Sequence, residues 1–165
     1  MSVVGIANRA GCSVVKNSTV QELRPGEVGV SILDRNKWYI VYDDTISKQR
    51  ARYTIAHELG HIILGHPIKA GYHARTIDTN KPETEWQADR FAAGLLAPAC
   101  VLWALDLHTV DEIRTICDIS YASAEIRAAR MEVLYKRNKF LLSSLERRVF
   151  ANFRDFINEK KQLMQ

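Results

Sequence analysis

Residues 48–64 constrain this chain more than any other segment. They contain no proline and a single glycine, Gly60, and Ser47 ahead of them is a good N-cap. The segment therefore reads as one long helix, with Gly65 and Pro67 supplying the stop. Tyr53, His57 and His61 recur at steps of four on one face, while Ile55, Leu59, Ile62 and Ile63 form an apolar stripe. Side chains four apart on a helix stand over one another, their Cβ atoms about 5–6 Å apart. Any fold must bury the stripe and bring a partner to the histidines. Two imidazoles at this spacing can take two corners of a zinc tetrahedron, with Zn–N bonds of about 2.0–2.1 Å. Glu58, inside His57-Glu58-Leu59-Gly60-His61, can accept a proton from water at the metal without being a ligand. The plain alternative is an exposed helix whose histidines are stacked by chance. Gly60 costs about 1 kcal/mol in a helix interior, and it leaves room for another segment to come close beside the site.

Two histidines leave zinc short of ligands, since a catalytic site normally has three protein ligands and a water. An extended H-E-x-x-H-x-x-G-x-x-H motif is excluded, because Leu64 and Pro67 stand where it needs Gly and His. His66 falls beside the helix stop and reads as a surface or capping residue. Downstream, Glu85-Trp86-Gln87-Ala88-Asp89 lies on a second helix, started at Pro82 and ended before Pro98. Glu85 and Asp89 share one face of it. Glu85 can complete a His₂Glu site, and Asp89 can accept a hydrogen bond from the outer ring nitrogen of a ligating histidine. Glu83 competes for the ligand position but sits off that face. The plain reading of the pair is a solvated acidic face.

These segments together resemble a known family. Arg52-Tyr53-Thr54-Ile55-Ala56-His57-Glu58-Leu59-Gly60-His61-Ile62-Ile63-Leu64, followed by Glu85-Trp86-Gln87-Ala88-Asp89-Arg90-Phe91-Ala92-Ala93-Gly94-Leu95-Leu96-Ala97-Pro98, is similar to the ImmA/IrrE metallopeptidases. The chain departs from the family pattern at Gln87, where a second Glu is frequent, and at Ala97, where Met is usual. The resemblance covers roughly residues 1–105 and is loose beyond. It implies a cytoplasmic zinc endopeptidase of bacteria, phages or mobile elements that cleaves a helix-turn-helix repressor and so derepresses genes. Carried over by position, it makes His57, His61 and Glu85 the zinc ligands and Glu58 the general base.

With 165 residues, 47% of them hydrophobic, the chain fits one domain with a helical appendage. Three widely spaced cysteines (Cys12, Cys100, Cys117) lack C-x-x-C spacing, which argues against a disulfide framework and for a reducing compartment. No apolar run approaches the roughly 18–20 residues of a membrane span, and no leader is expected. The first 45 residues predict a short helix over 3–10, an extended segment at 11–15, and a hairpin of 28–33 with 38–42 across the turn 34–37. This sheet should lie beside the helix that carries the histidines, where an edge strand is the usual place for an extended peptide to dock. From Thr109 the chain reads as helical: 111–117, 122–137 and a last helix over 140–161 striped by Phe140, Leu145, Val149, Phe153 and Phe156. Residues 120–165 hold 10 Lys/Arg against 5 Asp/Glu. Such helices can contact nucleic acid or an acidic partner, although a solvated face on a packing helix is the ordinary reading. The 116–124 stretch has only a faint helix-turn-helix character.

The expectation is thus an α+β protein: a small sheet packed beside the H-E-x-x-H helix and a mostly helical C-terminal half, with a peptidase domain over 1–108 and a helical extension over 109–165. Zn²⁺ is the expected cofactor and a partner protein the expected substrate. Tyr53, Tyr72, His73 and His108 are candidates for stabilising an oxyanion, Tyr53 being equally readable as a packing residue. The rival classes are a binding module that keeps the peptidase fold without cutting, and a DNA-binding regulator acting through the basic helices.

Overall fold

The computed structural model describes residues 2–67, 72–74 and 82–163, with 72–74 described by their backbone. The fold is α+β, and packing divides the chain into two compact units, Met1–Leu96 and Ala97–Gln165. The division comes earlier than the 108/109 boundary read from the sequence, so helix α5 (Ala99–Ala104) groups with the helical segment.

The first unit begins with α1 (Val3–Arg9), whose Ser2 side chain accepts from Gly5 N at 3.1 Å. Strand β1 (Cys12–Lys16) and a turn of helix, α2 (Asn17–Val20), follow. Strands β2 (Gly29–Asp34) and β3 (Lys37–Tyr42) form the expected hairpin. Arg35 and Asn36, at φ 45° and 63°, make its two-residue turn, a conformation that matches the twist of the flanking strands. Then come α3 (Lys48–Ile63), the short β4 (Tyr72–Ala74) and α4 (Glu83–Leu96). The sheet order is β1-β3-β2-β4, with β1 parallel to β3 and the other pairs antiparallel.

Helix α3 is the centre of this unit. Ser47 caps it as expected, accepting from Arg50 N at 3.3 Å. Its core is not amphipathic, however: every residue from Thr54 to His61 is buried. The sheet covers one side of the helix and α4 another, leaving Ile63, from the expected stripe, 54% exposed. Two features permit such close cover. On α4, the buried Ala88, Ala92 and Leu96 repeat at steps of four, and a Cβ at Gly60 would sit 3.3 Å from the Ala88 Cα and 3.1 Å from Phe91 Cδ1. Gly60 is therefore the close-approach point anticipated from the sequence. On β2, a Cβ at Gly29 would overlap Thr54 Cγ2. Gly29 and Ser31 are two apart, so they share the strand face toward α3.

The second unit holds α5, α6 (Val110–Cys117), α7 (Tyr121–Arg137), α8 (Ser144–Asn152) and α9 (Arg154–Leu163). Thr109 and Glu112 form a reciprocal capping box at the start of α6. The expected single helix over 140–161 is broken instead. Asn138, left-handed at φ 45°, ends α7; Leu141 is also left-handed at φ 59°; and the Ser143 side chain starts α8 by accepting from Glu146 N. A second break at Phe153 separates α8 from α9. The supposed stripe is dispersed accordingly: Phe140 stacks on Trp103 at 5.2 Å between ring centroids, Leu145 is 69% exposed, and Ile157 is the buried residue of α9. Cys12 and Cys100 are buried and Cys117 half-buried, and no disulfide joins them. Among the described residues no helix is long and apolar enough to cross a membrane.

Candidate metal centre

The two histidines of α3 and the first carboxylate of α4 converge. His57 Nε2 and His61 Nε2 are 3.0 Å apart, and the Glu85 carboxylate places Oε2 3.2 Å from the first and Oε1 3.2 Å from the second. Both imidazoles are fully buried, whereas Glu85 keeps 16% of its side chain exposed. Four-coordinate zinc with bonds of about 2.0–2.1 Å needs its ligand atoms roughly 3.3 Å from one another, close to the spacings seen. Of the residues described, His57, His61 and Glu85 are the group that could hold a metal ion.

The outer ring nitrogens sharpen this reading. His57 Nδ1 lies 2.8 Å from Asp89 Oδ1, an acceptor, so the ring proton sits on Nδ1 and the lone pair on Nε2 faces the cluster. Tyr53 Oη donates to the same Asp89 oxygen at 2.9 Å. His61 Nδ1 is likewise engaged, 2.9 Å from His66 Nδ1. The His57 Nε2 lone pair, His61 Nε2 and the Glu85 carboxylate thus meet in one largely buried space, a donor set that a cation would satisfy. The donor set fits a divalent metal of the zinc type.

Glu58 is held from the sheet. Ser31 Oγ lies 2.7 Å from Glu58 Oε2 and 3.3 Å from the Glu58 backbone oxygen, all fully buried. Ser31 carries no motif, and sequence reasoning missed it. The available signal was the pair of small residues, Gly29 and Ser31, at alternate positions among the apolar Val30, Ile32 and Leu33. Asp89 lies against the outer ring nitrogen of His57. Tyr53 commits its hydroxyl to Asp89 rather than to an oxyanion, and its ring lies beside that of His57, with centroids 6.4 Å apart. His108 belongs to the helical unit, where it pairs with Asp106 at 2.9 Å and stacks on Tyr135 at 4.4 Å between ring centroids. The side chains of Tyr72 and His73 lie outside the described residues. Glu83 Oε1 accepts from Gln87 Nε2 at 3.4 Å, away from the ligand group.

Residues 7–134 match the IrrE N-terminal-like domain of the peptidase M78 family. The chain belongs to that family. The match runs through both motif helices and into α7, so the M78 region extends beyond the first compact unit. No curated protein and no solved structure matches the chain significantly. Membership makes this a metallopeptidase-type domain, and it contains a His-His-Glu group that could hold a metal ion.

Proposed function

We propose that this M78 chain is a zinc-dependent endopeptidase that hydrolyses a peptide bond in a partner protein. The substrate we assign is a helix-turn-helix transcriptional repressor, and the outcome is derepression of the genes it controls. The reading places the protein in the cytoplasm, where such regulators act. The observation that carries it is the convergence of His57, His61 and Glu85 beside a glutamate that a buried serine holds in place. A purely structural metal site has no use for Glu58.

His57, His61 and Glu85 would hold the ion. Zinc supplies a Lewis acid there, polarising the scissile carbonyl and making water a nucleophile near neutral pH. Glu58 takes the proton from the attacking water and returns it to the leaving nitrogen. Ser31 orients the base by donating to Oε2, which keeps the carboxylate from rotating freely between turnovers. Asp89 fixes the His57 ring and Tyr53 fixes Asp89, a chain of contacts that holds one ligand at the right angle.

The test is co-expression with a helix-turn-helix regulator encoded beside its gene, with the regulator's size followed on a gel. Wild type cuts the regulator. Glu58→Gln retains zinc by elemental analysis, while cleavage falls by about 10²–10⁴-fold. Full derepression of target genes by Glu58→Gln would sink the enzyme reading and leave a regulator that acts by binding.

A further inference from the structure

The second ligand, His61, is supported differently from the first. His57 leans on a charged carboxylate, Asp89. His61 leans on a second, non-ligand histidine, and the helix end explains how that residue arrives. Gly65, left-handed at φ 67°, turns the chain back, with Gly65 N bonding to Ile62 O at 3.2 Å and His66 N to His61 O at 3.0 Å. This is the Schellman ending of a helix, and it sets His66 directly over the last turn. Its ring meets that of His61 edge-on, with centroids 4.9 Å apart and planes at 73°.

Proton positions along this contact have one consistent assignment once a metal is bound, and in that sense the inference rests on the zinc reading above. His61 turns Nε2 toward His57 and Glu85, so its proton must be on Nδ1. Two ring nitrogens 2.9 Å apart form a hydrogen bond only when one of them is protonated, so His66 Nδ1 is the acceptor. A neutral His66 then carries its proton on Nε2. That nitrogen lies 2.9 Å from Gln87 Oε1, which accepts, and Gln87 Nε2 in turn faces Glu83 Oε1 at 3.4 Å. Gln87 is one helical turn before Phe91, on the helix that also supplies Glu85, so the relay ties the stop of α3 to the face of α4.

We infer that His66 and Gln87 are positioning residues for the metal: a neutral relay, His61–His66–Gln87, that fixes the His61 tautomer and ring plane without a negative charge on His61. The tested quantities are zinc affinity and tautomer, with Zn²⁺ alone as the probe. In competition with a chromophoric chelator, His66→Phe, which keeps ring shape but cannot accept, binds Zn²⁺ about 10–100-fold more weakly. Gln87→Leu shifts affinity in the same direction, at the lower end of that range. Gln87 is exposed, so this variant folds even where His66→Phe does not. Gln87→Glu keeps wild-type affinity, because its carboxylate accepts from the same Nε2–H. In ¹⁵N-histidine-labelled, zinc-loaded protein, His66 appears as the Nε2–H tautomer and His61 as the Nδ1–H tautomer. Wild-type affinity in both His66→Phe and Gln87→Leu overturns the relay while leaving the zinc site standing. So does a His66 spectrum showing the Nδ1–H tautomer, or a Gln87→Glu variant as weak as Gln87→Leu. A wild-type chain that takes up no Zn²⁺ overturns the metal reading itself, and the relay with it.

Discussion

Gly29 is the residue whose replacement tests the architecture of the site most directly. Its backbone is in an ordinary strand conformation, so alanine there brings no dihedral strain, only a methyl group. That methyl overlaps Thr54 Cγ2 and lies 3.5 Å from Glu58 Cγ. Thr54 cannot swing aside easily, since it is β-branched, helical and fully buried. Relief must therefore come from moving β2 away from α3, and overpacking of this kind costs about 1–3 kcal/mol. For a chain of this size each kcal/mol lowers Tm by roughly 2–4 °C. The same movement draws Ser31 off Glu58, so hydrolysis should fall further than stability alone explains. Thermal and urea unfolding of Gly29→Ala, Thr54→Ser and the double variant separate the causes. Thr54→Ser deletes the offending methyl and keeps the hydroxyl, so the double variant should recover most of the loss, with a coupling energy within the roughly 0.5–3 kcal/mol seen for residues in contact. Strict additivity of the two changes would refute the close-approach argument.

Metal binding should sort the ligands: His57→Ala and His61→Ala abolish stoichiometric zinc in elemental analysis, Glu85→Ala weakens it strongly, and Asp89→Ala weakens it by about 10–100-fold. Full occupancy in Glu85→Ala would assign the third position to another group. In the helical unit, Tyr135 Oη donates to Leu102 O at 3.2 Å and Leu107 O at 3.1 Å, and burial, aided by the charges of Asp106 and Glu112, pushes its pKa up to about 12. The folded value is raised above the ordinary one near 10, so this contribution is complete below about pH 10 and is lost as pH rises from about 10 through about 12. Urea unfolding across that window should show a decline that Tyr135→Phe flattens; an equal decline in the variant would remove Tyr135 as its source.

Much of the site was legible because its parts are local. The ligand spacing lies within one helix, Glu85 and Asp89 within another, and both helices have capping or stop residues at their ends. Ser31 was hidden because its partner is 27 residues away and a serine in a strand has no period of its own. The burial of α3 on every side was equally hidden: a moderately apolar helix looks amphipathic until the small residues Gly29, Gly60 and Ala88 are seen to admit neighbours on both flanks. At the C-terminus the aromatic spacing of 140–156 supported one helix. Asn138, Leu141 and Ser143 decide otherwise through left-handed backbone and a cap, which are local interactions stronger than an exposed apolar period.

The support of the two histidines also bears on what kind of protein this is. A site that needs metal only for folding requires three good ligands and little else, since the ion itself orders the loops around it. Here the order comes from the fold. His57 is fixed by Asp89, which Tyr53 holds; His61 is fixed through His66; Glu58 is fixed by Ser31 from the sheet. Three separate supports, drawn from β2, the end of α3 and the face of α4, hold these side chains in place. Rigid placement of a base beside a ligand set gives a folding site nothing, but it is what hydrolysis requires, because a misplacement of about 1 Å can cost on the order of 10²-fold in rate. The arrangement supports the proposed enzyme over a clamp, and under that proposal Ser31, a residue that touches no metal, positions the base.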